Sequence, residues 1–454
     1  METRDGGADD GRSQVVGRGG DSGSAGLAGG SRRHGAGHGR AALVRGNLHT
    51  HTFWSDGDDF PEMVAEWYRT HGYNFLALSD HNVLSQGIRW DKERTLRAKA
   101  GTDVVATYLE RFGPAWVERR GTGDDGEIRL KPLDEFRSLV EERGRFILIP
   151  AEEITDKAEN VPVHINATNV RDPIAPAGGR TVVEAINANL RAVRDQAERA
   201  GREILAHLNH PNYGYAITAE DLAQAVLERH FEIHNGHPGV NQRGDDLHPG
   251  MERLWDIANT IRLVDLNAPP LIGIATDDSH SYHGKPGGSH PGRGWVMVRA
   301  THLTAEKIVA ALAAGDAYAS TGVTLRDVAF DPTARRLVVD IEPDPGATYT
   351  VRFIGTRRGV DTAGTPIDPD SLEPAARKNL GRLRTRHSER IGEVLATATG
   401  PRAEYTLGGD ELYVRAIVTS SLPVADPSWE GQVQEAWTQP VGWMVREAPP
   451  AAPR

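Results

Sequence analysis

The sequence predicts an α/β barrel followed by a small all-β domain. From Leu43 to about residue 324, short apolar runs alternate with segments of helical period. After about Leu325 the apolar runs are short and alternating, with Pro- and Gly-rich turns between them, which is typical of an antiparallel β-sandwich. His and carboxylate clusters stand at the ends of the earlier apolar runs. Because a (β/α) barrel builds its site from the tips of its strands, these clusters predict both the barrel and the position of its site.

Composition divides the 454 residues into four segments. Residues 1–42 are rich in Gly and poor in large apolar side chains, so we expect a disordered tail. Residues 43–324 form the predicted barrel, which is interrupted at about 88–135 by a charged, partly helical insertion that we expect to cap the site. Residues 325–445 form the predicted β-sandwich-like domain, and residues 446–454 are expected to be a loose tail.

The bulk composition excludes several classes of function. The formal net charge is −11, which argues against a nucleic-acid surface because such a surface needs a basic face. The sequence has no apolar run of the roughly 18 residues that cross a membrane. The lack of cysteine excludes disulfides, Cys-based zinc sites and Cys nucleophiles. Arg32-Arg33 is not followed by the apolar segment of an export signal, so we expect a cytoplasmic protein by default; export and oligomeric state stay open.

Periodicity predicts the order of the secondary-structure elements. The predicted barrel strands are residues 43–52, 73–78, 146–150, the alternating run around 163–166, 203–206, 231–233, 271–275 and 295–298. The predicted helices are residues 61–71 before Gly72, 181–200 before Gly201, 218–230, 251–264, and 304–314 before Gly315. The alternating runs of the β-domain are residues 337–341, 349–354, 405–407 and 412–418.

The His and carboxylate clusters predict a metal site. His49 and His51 lie two residues apart on a predicted strand, so both imidazoles project from one face and can reach one metal ion. Similar residues stand at other strand ends, namely His81, Glu153, His164, His210, Asp278 and His280. Imidazoles and carboxylates together bind Zn²⁺, Mn²⁺ or Fe²⁺. Two alternatives stay open, Glu152 in place of Glu153 and His207 in place of His210.

The clusters also resemble a known family. Leu48-His-Thr-His-Thr-Phe-Trp-Ser-Asp-Gly57 resembles the first motif of the PHP (polymerase and histidinol phosphatase) superfamily. Later motifs follow in the same order over about residues 44–322, namely Leu78-Ser-Asp-His-Asn82, Glu153 with His164, His210-Pro211 and Asp278-Ser-His280. Three further segments resemble the branch of the family that has a C-terminal β-domain, namely Pro291-Gly-Arg-Gly-Trp295, Tyr318-Ala-Ser-Thr-Gly322 and Trp437-Thr-Gln-Pro440.

The resemblance implies a distorted seven-stranded (β/α) barrel that holds two or three divalent metal ions. It implies one metal held by His49, His51, Glu153 and Asp278, a second held by Glu153, His164 and His210, and a third held by Asp56, His81 and His280. Asp80 and Asp277 are expected to orient ligating imidazoles rather than to bind metal. A hydroxide between two metals would then be the nucleophile, because each metal lowers the pKa of bound water.

Three functions are consistent with this site. The first is a metal-dependent phosphoesterase on a small phosphate ester, because metal ions can supply positive charge for an anionic substrate. The second is a hydrolase of amides, esters or carbamates with the same site. The third is a non-catalytic binding protein, which the complete ligand set argues against. The predicted catalytic residues are Asp56, His237, which contacts substrate or shapes its loop, and Arg293, which clamps an anion or forms a surface salt bridge.

Overall fold

The computed structural model of the protein describes residues 41–444. The predicted tails therefore lie outside the described residues, apart from Ala41 and Ala42. Residues 41–444 belong to one compact unit. Within this described part, every helix is too short or too polar to cross a membrane. The boundary predicted at residues 324 and 325 stays a prediction, since a single sheet runs through both predicted domains.

The elements alternate in the first part and are mostly strands in the second. The strands are β1 (Ala42–Asn47), β2 (Phe75–Leu78), β3 (Arg89–Lys92), β4 (Arg119–Arg120), β5 (Glu127–Leu130), β6 (Ile147–Ala158), β7 (Val161–Thr168), β8 (Leu205–Leu208), β9 (His230–Asn235), β10 (Ile272–Thr276), β11 (Trp295–Ala300), β12 (Ala317–Ser320), β13 (Leu325–Asp331), β14 (Arg336–Ile341), β15 (Tyr349–Arg357), β16 (Thr365–Pro366), β17 (Thr385–Arg386), β18 (Glu393–Thr399), β19 (Arg402–Thr406), β20 (Glu411–Pro423) and β21 (Val433–Trp437). The helices are α1 (Pro61–Thr70), α2 (Glu93–Ala100), α3 (Val104–Phe112), α4 (Leu133–Val140), α5 (Val182–Ala200), α6 (Ala219–Ala223), α7 (Met251–Val264), α8 (Ala305–Ala314) and α9 (Pro374–Asn379).

The main sheet is mixed and carries the site. Within residues 41–444 its order is β10-β9-β8-β7-β6-β2-β1-β11-β12-β21-β20-β15-β18. The first seven strands in this order are parallel to their neighbours, except that β7 is antiparallel to both β6 and β8. The chain just after β1 also contacts the chain just after β10: His51 N donates to Ser279 O (3.0 Å), and Asp278 N donates to His49 O (3.1 Å). The tips of the two outermost of these seven strands therefore lie side by side.

Capping residues set the ends of two predicted helices as expected. Thr181 accepts a hydrogen bond from Glu184 N at the start of α5, and Gly201 ends it in the left-handed conformation. Thr304 and Gly315 play the same roles for α8. The helix predicted over residues 218–230 is wrong in length, because α6 ends at Ala223. The buried Arg262 guanidinium donates hydrogen bonds to the carbonyl oxygens of Ala223 and Ala225. These oxygens therefore accept from a side chain outside the helix.

The strand predicted over residues 146–150 is wrong in length as well. β6 continues to Ala158 because it pairs along its second half with β7, from Ala151↔Thr168 to Ala158↔Val161. The connecting residues Glu159 and Asn160 both have positive φ, which suits a two-residue hairpin turn. Glu153 and His164 consequently lie within strands, and not at their tips.

The insertion packs against the loop that carries Asp56. β3, β5 and β4 form a small sheet, and its side chains share a hydrophobic cluster with Phe53, Trp54 and Phe60. Lys99 Nζ donates to Ser55 O (2.8 Å), and Trp54 Nε1 donates to Lys131 O (3.1 Å). The insertion thus holds the 53–60 loop in place, and its capping of the site stays a prediction.

The same interface predicts a pH-dependent stability. Glu62 is fully buried and accepts hydrogen bonds from Tyr108 Oη (2.5 Å) and Trp116 Nε1 (3.1 Å), and burial raises its pKa to about 7. The folded state therefore binds this proton more tightly than the unfolded state does, so stability falls as pH rises from about 4.5 to about 7. We expect Glu62→Gln to flatten the decline of the melting temperature over this range. An unchanged pH profile would contradict the assignment, and Glu66→Gln on the same helix, which is partly exposed, is the control.

The second part of the chain extends the main sheet and adds a second one. β13, β14 and β19 form an antiparallel sheet, and a hydrophobic cluster joins it to β15 and β20 through residues such as Leu337, Val339, Val351 and Val418. The β-strands predicted here are present. The segment between β15 and β18, residues 358–392, leaves the sheet and packs on α6 and α7 of the first part; we call it the 358–392 excursion. Periodicity did not predict it, because it is mainly loop with a short hairpin and a short helix.

Candidate metal centre

The residues predicted as metal ligands converge at one end of the seven-stranded part of the main sheet. His49 and His51 follow β1, His81 follows β2, and Asp278 and His280 follow β10. His49, His51 and Glu153 have no exposed surface. His210 and Asp278 adopt positive φ values (26° and 49°), which are unusual for residues other than Gly and often occur at functional sites.

Four buried atoms form the centre of this group. His49 Nε2 lies 3.5 Å from Glu153 Oε2 and 3.2 Å from Asp278 Oδ1. His51 Nε2 lies 3.4 Å and 3.2 Å from the same two oxygens. Two of the four atoms, His49 Nε2 and His51 Nε2, have no hydrogen-bond partner among the described residues, and Glu153 Oε2 lies 2.8 Å from His81 Nδ1 without the geometry of a hydrogen bond. Such buried polar atoms are costly unless a further group satisfies them.

The spacing of these atoms fits a metal ion. Ligands at roughly 2.0–2.2 Å from a tetrahedral metal lie about 3.3–3.6 Å from one another, which is close to the observed separations. Imidazole nitrogens with carboxylate oxygens are also the donor set that Zn²⁺, Mn²⁺ and Fe²⁺ accept. The geometry and the unsatisfied atoms therefore both suit a divalent metal at His49, His51, Glu153 and Asp278.

Further groups lie on both sides of this centre. Asp56, which has a half-exposed carboxylate, lies 3.4–3.6 Å from ring nitrogens of His51, His81 and His280. On the other side, Glu153 Oε1 lies 2.9 Å from His164 Nδ1 and 3.6 Å from His210 Nε2. These contacts bring together the residues that the resemblance assigned to a third and a second metal. His81 Nδ1 is also 2.8 Å from Glu153 Oε2, so the groups share ligands more closely than the assignment implied.

The structure favours one residue in each pair that the sequence left open, Glu152 or Glu153 and His207 or His210. Glu152 points away from the centre, accepting a hydrogen bond from Ile174 N (2.6 Å), and burial raises its pKa to about 7. His207 is fully buried beside Glu232 (3.5 Å) rather than Glu153, whereas His210 reaches both Glu153 and Asp278. The geometry therefore favours Glu153 and His210. The ligand roles themselves stay predictions.

Electrostatics keeps the carboxylates of the centre ionised. Burial alone would raise the pKa of Glu153, but the His49, His164 and His81 imidazoles outweigh it and hold that pKa well below its usual range. Asp278 behaves in the same way because of His49 and His51. Burial and the neighbouring His280 lower the pKa of His51 to about 3, so this imidazole is neutral and its lone pair is free for a metal.

Glu232 is a site residue that the sequence argument missed. It is fully buried on β9, and its Oε1 lies 2.7 Å from His49 Nδ1 and accepts from Thr276 Oγ1 (2.7 Å). Its Oε2 accepts from His210 N and Asn235 Nδ2. Glu232 thereby fixes the His49 ring so that Nε2 faces the centre, as a carboxylate behind a metal-binding imidazole does. The sequence signal was a lone carboxylate inside an apolar strand.

We expect Glu232→Gln to weaken metal binding about 10- to 100-fold, because the amide holds the His49 tautomer less firmly than the carboxylate does. Competition with a chelating dye measures the affinity directly. Glu228→Gln, just before β9 and outside the centre, is the control. Equal affinities for the two variants would show that Glu232 does not position His49.

Asp80 and Asp277 do not contact the imidazoles that they were expected to orient. Asp80 accepts from Thr52 N, Thr52 Oγ1 and Ser55 Oγ, and it thereby holds the loop that carries Asp56. Asp277 accepts from the backbone N–H groups of residues 292, 293 and 294 and from Tyr68 Oη. Both carboxylates organise the loops around the site. The prediction of direct imidazole contacts is therefore corrected.

Arg293 forms an ion pair with Asp426, which was one of its two predicted roles, although its guanidinium is buried and not at the surface. Its guanidinium donates to both Asp426 carboxylate oxygens and to the carbonyl oxygens of Gly236 and Gly288, and it is buried. Four of its five N–H groups are thereby engaged, which disfavours the predicted anion clamp, and the side chain joins the β-domain to the 236 and 288 loops. His237 lies near the site, since its ring centroid is 5.7 Å from that of His280, and its Nδ1 accepts from Gly239 N (3.0 Å). Both of its predicted roles, substrate contact and loop shaping, remain consistent with this position.

Comparison with known proteins gives a likeness in fold only. No family model matches the chain, and no curated protein matches it. A two-domain protein from Bacteroides vulgatus, described as containing a predicted PHP-like metal-dependent phosphoesterase, is 15% identical with a TM-score of 0.37, over 90% of this chain and 100% of that one. A candidate metal-dependent phosphoesterase from Bifidobacterium adolescentis is 15% identical with a TM-score of 0.27, over 53% and 89% of the two chains.

An amidohydrolase from Chromobacterium violaceum, with bound sulfate and no metal, is 12% identical with a TM-score of 0.26, over 54% and 90% of the two chains. At such identities and TM-scores the likeness says nothing about the activity of this chain. We therefore base the functional proposal on the geometry of the site.

Proposed function

We propose that this chain is a metal-dependent hydrolase of the PHP type that acts on a small phosphate ester. The observation that carries the proposal is the convergence of His49 Nε2, His51 Nε2, Glu153 Oε2 and Asp278 Oδ1, at separations of 3.2–3.5 Å. Buried polar atoms without protein partners are expected where a bound metal ion satisfies them.

We further propose that the first seven strands of the main sheet form a distorted (β/α)7 barrel. The hydrogen bonds between the chain after β1 and the chain after β10 support closure of the sheet at the end where the site lies. The site would then sit at the carboxyl ends of the strands, as in other barrel enzymes. We also propose that the β13-β14-β19 sheet and the part of the main sheet that contains β15 and β20 form a sandwich-like domain around the cluster of Leu337 and Val351.

The ligands offered by this chain are suited to more than one metal ion. Divalent ions bound by these residues would lower the pKa of a water molecule and polarise a phosphoryl or carbonyl group. His51 enters through a neutral nitrogen, Glu153 offers one oxygen to each side, and Glu232 holds His49 from behind. Asp56 is the most exposed member of the group, which places the mouth of the site on its side.

A phosphate ester suits the charge and shape of the site best. The imidazoles of His81 and His280 lie on the exposed side with Asp56. Metal ions held by these neighbouring groups would face the several oxygens of a phosphate. A carbonyl substrate offers a single oxygen to the same array.

Metal analysis paired with a substrate panel tests this proposal. We expect two or three divalent ions per chain after purification without chelator, and phosphate release from a panel of small phosphate monoesters that is lost on chelation. His49→Ala should lose both the metal and the activity. Turnover of carbonyl esters or amides alone would move the substrate to that class, and a chain without stoichiometric metal under several supplementation conditions would overturn the proposal.

A further inference from the structure

Asn235, the last residue of β9, lies between two of the carboxylates around the metal centre. The residue is 1% exposed. Its Nδ2 donates to Glu232 Oε2 (2.8 Å) and to Asp278 Oδ2 (3.1 Å), and its Oδ1 accepts a hydrogen bond from His237 N (2.8 Å). Both N–H groups and the oxygen of this amide are therefore engaged inside the protein.

The partners of the Asn235 side chain fix which way the amide faces. An ionised carboxylate only accepts hydrogen bonds, and a backbone N–H only donates them. The NH2 group must therefore face Glu232 and Asp278, and the oxygen must face His237 N. Rotating the amide by half a turn would leave all three partners unsatisfied, so the orientation follows from the network itself.

The two carboxylates held by Asn235 use their other oxygens around the His49 ring. Glu232 Oε1 lies 2.7 Å from His49 Nδ1, and Asp278 Oδ1 lies 3.2 Å from His49 Nε2. The contacts from Asn235 to Glu232, to His49, to Asp278 and back to Asn235 therefore form a closed ring. Neither carboxylate can turn without losing its hydrogen bond from Asn235.

The neutral amide of Asn235 suits a site for a cation. Glu232 is fully buried and Asp278 is 5% exposed, so their negative charges destabilise each other unless hydrogen-bond donors lie between them. Asn235 supplies two N–H groups there without a positive charge. A Lys or Arg side chain would also satisfy the carboxylates, but it would repel a divalent ion bound by Asp278.

The backbone of Asp278 is a second reason why this residue needs to be held. Its φ of 49° lies in the left-handed region, which is strained for a residue other than Gly and persists only where surrounding contacts impose it. The bond from Asn235 Nδ2 is one such contact, and the bond from Asp278 N to His49 O (3.1 Å) is another.

We propose that Asn235 is a positioning residue of the metal centre, which keeps Asp278 Oδ1 and His49 Nε2 turned toward the ion through this closed ring of contacts. The inference rests on the metal centre of the proposed function and adds a residue to it, whichever substrate is hydrolysed. Asn235 acts through Asp278 and Glu232, and its own oxygen faces His237 N.

The Zn²⁺ affinity of the full chain tests this role. We expect Asn235→Ala to weaken Zn²⁺ binding about 10- to 100-fold in competition with a chelating dye. Asn189→Ala is the matched control, because Asn189 on α5 is also fully buried, donates to Asp156 Oδ2 (2.8 Å) and accepts from Ala177 N (2.9 Å), outside the centre. The control should lose stability in urea as Asn235→Ala does, but it should keep the Zn²⁺ affinity of the parent chain.

The visible absorption of bound Co²⁺ separates positioning from a general loss of stability. A turned Asp278 or His49 changes the ligand field, so we expect the spectrum of Co²⁺-saturated Asn235→Ala to differ from that of the parent chain. The spectrum of Asn189→Ala should match the parent. If Asn235→Ala does not fold, Asn235→Ser and Asn189→Ser, which keep one hydroxyl donor each, decide by the same two measurements.

The outcomes separate this inference from the proposed function. A parent chain that binds neither Zn²⁺ nor Co²⁺ would overturn both. A parent chain that binds the ions, with equal affinities and spectra in the Asn235 and Asn189 variants, would overturn the role of Asn235 alone. Weaker binding and a changed spectrum confined to the Asn235 variants would support that role, whether or not a phosphate ester is hydrolysed.

Discussion

Replacing Glu153 with Gln is expected to abolish hydrolysis and to remove most of the bound metal. Glu153 is fully buried, and its two oxygens contact the imidazoles of His51 and His81 on one side and His164 on the other. The Gln amide keeps the shape of the side chain but lacks the negative charge and one acceptor oxygen, so it cannot offer a carboxylate oxygen to each side of the centre. We expect a loss of at least roughly a thousandfold in kcat/KM, since metal-ion catalysis contributes several kcal/mol of transition-state stabilisation.

The neighbouring residue supplies a closely matched control. Glu152→Gln makes the same change one position earlier on β6, where the side chain faces Ile174 N, a contact that the amide oxygen can keep. Metal content by mass spectrometry and rates of phosphate release are compared for both variants. Near-normal metal and activity in Glu153→Gln, or equal losses in both variants, would contradict the position of Glu153 at the centre.

Replacing Asp256 with Ala is expected to lower the free energy of unfolding more than the other substitutions proposed for this chain. Asp256 on α7 accepts from Tyr413 Oη (2.6 Å) and from Arg415 Nε (2.9 Å) and Nη2 (2.7 Å). The Asp256 and Arg415 side chains are 3% and 1% exposed. Asp256→Ala leaves the Arg415 charge buried without its partner, which costs about 3–5 kcal/mol of the free energy of unfolding.

Urea denaturation of the full chain measures this cost. Asp327→Ala removes the carboxylate of an exposed pair with Arg299 (2.6 Å), and we expect a change below about 1 kcal/mol because solvent screens that pair. Asp256→Asn keeps the volume and one acceptor, so it should fall between the two alanine variants. A small effect of Asp256→Ala would show that the α7 contact with β20 is not an energetic link between the two parts of the chain.

The elements best predicted from the sequence are those with local signals. The two helices with Thr caps and terminal Gly residues, α5 and α8, end where their capping residues indicate. The ligand candidates also came together as predicted, because His49, His51, His81 and Asp278 each follow a short apolar run. Such runs and caps depend on neighbours in sequence, so a single chain reveals them.

The features that were missed depend on contacts distant in sequence. The strand length of β6 is set by pairing with β7, and the end of α6 coincides with carbonyl oxygens taken by Arg262. Arg293 binds Asp426, which is 133 residues away in the chain. Its position in a Gly-rich loop gave no sign that its guanidinium was already engaged. Glu232 was missed because only the folded structure brings it to His49, 183 residues away in the chain.

The position of β21 has a consequence for the order in which this protein acquires its structure during synthesis. Residues 433–437 insert between β12 and β20, and the side-chain amide of Gln439 forms hydrogen bonds with both N and O of Gly273 in β10. A growing chain that has reached residue 430 therefore still has unpaired strand edges in its main sheet. Such edges invite pairing with other chains, so the nascent polypeptide passes through an aggregation-prone stage that ends only when these late residues arrive.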